Sequence, residues 1–79
     1  EDISNISHLI TSVATAGPNL MVIGTKIGAA QQVALFLDKY SNSGIIGNIG
    51  GDDTVFTATS DKAHQRILSD KINHLIRRS

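Results

Sequence analysis

The feature that most constrains this chain is a pattern that occurs twice: two short β-branched runs split by a glycine-containing turn, then a segment whose apolar residues recur at helical spacing. The first copy opens with Leu9–Ala16, which carries Ile10, Thr11, Val13 and Thr15. It turns at Gly17-Pro18-Asn19, where proline supplies the φ of about −65° that a turn needs. Leu20–Thr25 is the returning strand. After Gly28 the period lengthens, with Ala30, Val33, Ala34 and Leu37 at i, i+3, i+4 and i+7. Phe36 and Tyr40 widen that stripe, and Ser41-Asn42-Ser43-Gly44 ends the helix. The second copy sets Ile45–Ile49 and Thr54–Thr59 on either side of Gly50-Gly51-Asp52-Asp53, a composition suited to a tight hairpin. Ser60 is then expected as an N-cap with Asp61 in the first turn. The apolar stripe of this last helix is expected to be Ala63, Ile67, Leu68, Ile72, Leu75 and Ile76, and its end carries Arg77 and Arg78, where cations suit the helix dipole.

The order ββαββα predicts an α+β fold, a four-stranded antiparallel sheet with two helices packed on one face, because each helix has one stripe to bury. The second sheet face is then uncovered. Ile10, Val22, Ile23, Ile45 and Ile46 are too many for one face, so the other is expected to meet another subunit. With 79 residues and no cysteine, the chain has neither a second domain nor a disulfide to add to a small core, which leaves self-association as the remaining stabiliser. Residues 1–7 are polar apart from Ile3 and Ile6 and read as a linker remnant ahead of a domain at 8–79. The opening Glu1-Asp2-Ile3-Ser4 has neither an initiator Met nor a secretory layout, as expected for an excised or processed fragment.

Composition narrows the function classes. Apolar runs such as Leu20–Ile23 fall far short of the roughly 20 residues of a membrane span. Seven basic and seven acidic residues cancel, so the chain is not expected to grip a nucleic-acid backbone by itself. Lack of cysteine removes thiolate chemistry and fits a reducing, cytoplasmic setting. His8, His64 and His74 have no metal spacing, since the last two lie on different sides of one helix. No nucleophile elbow or triad pattern is present. The expectation is a protein with no catalytic residues, no metal site and no cofactor, and not an enzyme.

Two local features carry chemistry. Asp52 and Asp53 are adjacent carboxylates on a glycine-rich hairpin; they serve as turn formers, or as a cation site, because two close carboxylates are relieved by a metal, an ammonium or a guanidinium. A Gly-Asp-Asp hairpin also holds metal in viral RNA polymerases, but this chain has no room for a polymerase palm. Gln31 and Asp38, seven residues apart, share a helix face at a separation of about 10 Å along the axis. That spacing spans a small polar ligand, and it is equally that of a solvated face.

Taken together, Gly28-Ala29-Ala30-Gln31, an apolar helix ending Leu37-Asp38, the run Gly44-Ile45-Ile46-Gly47-Asn48-Ile49 and then Gly51-Asp52-Asp53-Thr54-Val55-Phe56 resemble the C-terminal domain of the bacterial arginine repressor family. Gly28–Phe56 carries the resemblance, and the flanking strands and last helix agree in pattern. It implies a domain that forms trimers and pairs of trimers and binds L-arginine at the trimer–trimer interface, while a separate N-terminal winged-helix domain, absent from this sequence, reads operator DNA. It also implies that Gln31, Asp38, Asp52 and Asp53 contact the ligand. Many members have proline ahead of the Gly-Ala-Ala-Gln motif, where this chain has Ile27.

Arginine presents a planar guanidinium, an ammonium and a carboxylate, so paired planar acceptors suit its side chain and an Asp with an amide suits its backbone end. Backbone N–H groups of Gly28, Ala29 and Ala30 at the helix start are the expected donors to its carboxylate. Two other readings use the same residues. An ACT-like sensor of another amino acid has the order βαββαβ, which an opening hairpin would disfavour, and phosphoryl chemistry on a metal at Asp52 and Asp53 would need further ligands.

Overall fold

A computed structural model describes residues 3–39 and 44–78. Tyr40, the Ser41-Asn42-Ser43 helix stop and the side chain of Arg78 lie outside the described residues. After a short 3-10 helix at Ile3–Leu9, the elements are β1 (Ile10–Ala16), β2 (Leu20–Thr25), α1 (Ala30–Lys39), β3 (Ile45–Gly50), β4 (Thr54–Thr59) and α2 (Lys62–Arg78). The strands form one sheet in the order β1-β2-β4-β3, every neighbouring pair antiparallel. This is the α+β fold that the repeated pattern predicts.

Alternation decides which face the helices cover. Met21, Ile23 and Thr25 of β2 and Val55, Thr57 and Thr59 of β4 are buried, while the residues between them are not, as a period of two requires when one sheet face is packed. Ala30, Val33, Ala34 and Leu37, the predicted stripe of α1, are all buried against them. α1 lies mainly over β3 and β4, and α2 over β1.

The structure departs from expectation in three places. Ile6, assigned to a linker remnant, is 4% exposed and joins the core through the 3-10 helix. The cap of α2 is Asp61 rather than Ser60. Asp61 Oδ1 accepts the His64 backbone N–H at 2.8 Å, while the Ser60 N–H donates to the Gly44 carbonyl. The His64 backbone N–H, followed by the bond to the His64 ring, holds the Asp61 carboxyl below its ordinary value. The stripe of α2 is narrower than expected, since Ala63 is exposed and Ile67 is 68% exposed, while Leu68 and Ile72 are buried. Gln65 turns inward instead, its amide donating to the carbonyls of Gly17 and Leu20 at 2.7 and 3.0 Å, so a polar residue fastens α2 to the β1–β2 turn.

The uncovered face is apolar nonetheless. Val22, Phe56 and Ile49 are cross-strand partners in one row, and Leu20, Ala58 and Gly47 form the next. Phe56 is 55% and Ile49 78% exposed. A concavity of about 530 Å³ on this face is lined by Leu20, Gly47, Asn48, Ile49, Phe56 and Ala58.

Candidate functional site

The two sequence features meet at the start of α1. Gly28 has φ +84°, a conformation that a residue with a Cβ adopts only with strain, and it turns the chain from β2 into the helix. Gly50, at the end of β3, fits against the first peptide of α1 so closely that a Cβ added there would stand 2.7 Å from the Ala30 carbonyl oxygen. Backbone hydrogen bonds complete the joint. The Asp52 carbonyl accepts the N–H groups of Gly28 (2.9 Å) and Ala30 (3.3 Å), and the Asp53 carbonyl accepts the Thr25 N–H (2.8 Å). Gly50→Ala is expected to push the hairpin off the helix and to cost about 1–3 kcal/mol, the usual penalty of overpacking. The denaturation midpoint reads this directly, and an unchanged midpoint would mean that the two segments do not meet as described.

The joint uses backbone atoms and leaves side chains free. Gln31, Asp52 and Asp53 are all exposed around it, and Asp53 Oδ1 accepts the Thr54 hydroxyl at 3.1 Å. Neither carboxylate has an ion-pair partner among the described residues. Asp38 stands apart, two turns further along α1 and also exposed. Its Oδ1 accepts the side-chain amide of Asn48 on β3. So Gln31, Asp52 and Asp53 are brought together within one chain, and Asp38 is held at the other end of the helix.

The backbone donors expected for a ligand carboxylate are occupied. Gly28 and Ala30 donate to Asp52 and Ala29 donates to the Lys26 carbonyl; these groups serve the joint and would have to leave it to meet a ligand. The concavity on the uncovered sheet face is lined by none of Gln31, Asp38, Asp52 and Asp53. One of about 270 Å³ reaches Gly51 and Thr54 beside the carboxylate pair, and one of about 180 Å³ lies on another side of α1, between Ile6, Gln32, Leu35, Phe36 and Lys39. In a single subunit all four side chains are exposed. No three His, Asp or Glu side chains among the described residues are grouped to hold a metal ion, and no described helix is long and apolar enough to cross a membrane. Asn48 is the residue that sequence reasoning passes over. The signal for it is a lone amide within a β-branched run.

The family profile described as the arginine repressor C-terminal domain matches residues 6–74. An arginine repressor of Bifidobacterium adolescentis is 50% identical over 56 residues, which is 71% of this chain and 32% of that protein. Those of Alkaliphilus metalliredigens and Thermotoga maritima are 38% identical over 66 residues and 32% identical over 72, covering 84% and 91% of this chain. The matched stretch is 32–47% of the length of these relatives, so the chain corresponds to less than half of a whole repressor. With the match running from the buried Ile6 through both motifs into α2, the chain belongs to the arginine repressor C-terminal domain family.

Proposed function

We propose that the chain is the L-arginine-binding and oligomerisation domain of an arginine-responsive transcriptional regulator, acting on genes of arginine biosynthesis or catabolism. The observation that supports it most is the joint at the start of α1, where two motifs far apart in sequence are tied by backbone bonds while Gln31, Asp52 and Asp53 remain exposed around it. Asp52 and Asp53 receive the guanidinium, a planar donor that paired carboxylates suit. Gln31 and Asp38 suit the backbone end. Because all four side chains are exposed in one subunit, a second subunit closes the site.

The assembly is a trimer, and a pair of trimers, in which the uncovered sheet face is buried between subunits. Arginine that bridges subunits binds the assembled form and stabilises it by linkage, which fixes how the DNA-binding domains are presented. Operator DNA is met by a winged-helix domain that this sequence does not contain. The opening β1–β2 hairpin disfavours the βαββαβ order of an ACT-like sensor. Calorimetric titration tests the class of ligand. L-arginine should give saturable heat and Mg²⁺ none under the same conditions; the reverse would favour a metal at Asp52 and Asp53.

A further inference from the structure

We propose that Asn48 is the positioning residue for Asp38: its amide fixes which oxygen of that carboxylate a ligand's ammonium group meets. This rests on reading Asp38 as a ligand residue. Asn48 stands opposite Thr57 in the β3–β4 register, and cross-strand partners share a face. Thr57 is fully buried on the helix-covered face, so the half-buried Asn48 side chain lies on the α1 side of the sheet, where it reaches the exposed Asp38. Its Nδ2 donates to Asp38 Oδ1. Its Oδ1 is buried and accepts no hydrogen bond among the described residues, and the same holds for Thr57 Oγ1 beside it.

Two features of this pair run against stability. Half-buried strand positions favour β-branched or aromatic residues, and an amide whose carbonyl oxygen is buried and unpaired is a poor substitute for them. Turning the amide over would not help, because its oxygen would then face the oxygen of Asp38. Asp38 itself lies in the last turn of α1, where the helix dipole favours a cation and disfavours a carboxylate. A bound cation would relieve an acid at the unfavourable end of a helix, and the amide holds that acid in place although its own oxygen is left unpaired. With Oδ1 held by Asn48, Oδ2 is left as the acceptor for an ammonium group, and the carboxylate cannot rotate freely to other partners.

The test compares L-arginine with 5-guanidinopentanoate, which keeps the guanidinium and the carboxylate but lacks the ammonium. Both are titrated into the wild-type domain, Asn48→Val and Asn48→Ala, with affinity read by NMR shift titration, which reaches millimolar dissociation constants, and with helicity and molar mass measured on the same samples. Loss of one hydrogen bond to a charged group predicts L-arginine binding weaker by on the order of tenfold in both variants. Binding of the analogue should be unchanged. Equal weakening of both ligands would assign Asn48 a merely structural role, and undiminished L-arginine binding in either folded variant would overturn the proposal. A second readout needs no variant: in the wild type the Asn48 side-chain amide resonances should move on adding L-arginine and stay in place with the analogue. Resonances that L-arginine leaves in place overturn the proposal even if neither variant folds. Wild-type protein that binds no L-arginine at all would mean that the reading of the site itself has failed, and the positioning role with it.

Discussion

Phe56→Glu is expected to dissociate the domain into 8.4 kDa monomers while leaving each subunit folded. Phe56 sits in the middle of the uncovered sheet face, paired with Val22 on one side and Ile49 on the other. It is half exposed in the single chain, so a charge there costs the isolated subunit little. In an assembly that buries this face, the same carboxylate would be desolvated with no partner. Stranding a buried charge costs on the order of 3–5 kcal/mol, and every copy of the contact would bear it. Sedimentation at micromolar concentration reads the result as a fall in mass. Unchanged mass for Phe56→Glu would place the subunit contacts elsewhere, and a monomeric wild type would remove the need for them.

The second large effect concerns ligand affinity. Asp52→Asn and Asp53→Asn should each weaken L-arginine binding by about 2–5 kcal/mol if the guanidinium is well desolvated between them, which is roughly 30-fold to several thousandfold. The structure makes these variants clean. The parts of Asp52 and Asp53 that hold α1 and β2 are their backbone carbonyls, which asparagine keeps, so the joint should survive while the charge is lost. Calorimetry on samples of unchanged molar mass checks this. Full affinity in both variants would return the hairpin to a simple turn-forming role.

The strands and helices were legible because their signals are local. The alternation of Met21, Ile23 and Thr25 and the spacing of Ala30, Val33, Ala34 and Leu37 need only near neighbours. What escaped depends on partners far along the chain. Gln65 is polar and spoils an apolar pattern, yet it is buried because the carbonyls of Gly17 and Leu20 await its amide. Ile6 stands alone among polar residues, so no periodicity marks it, although it and Leu9 seat the 3-10 helix on the core. In the site, the residue types at Gln31, Asp38, Asp52 and Asp53 were readable as acceptors for a cationic ligand, and the family resemblance joined them. The carbonyl of Asp52 across the start of α1 and the amide of Asn48 on Asp38 were not readable. The first is a backbone role with no side-chain signature, and the second links two elements whose packing no linear pattern states.

Arginine bound between subunits, as proposed, couples ligand to assembly. A ligand with equal affinity for assembled and dissociated chains shifts nothing, however tightly it binds. Arginine affinity measured across a protein dilution series that crosses dissociation of the trimer pair tests this most directly. Affinity should fall as the pair comes apart, and added arginine should move the dissociation to lower protein concentration. Constant affinity through the transition would contradict it, because the site would then be complete within one trimer or one subunit.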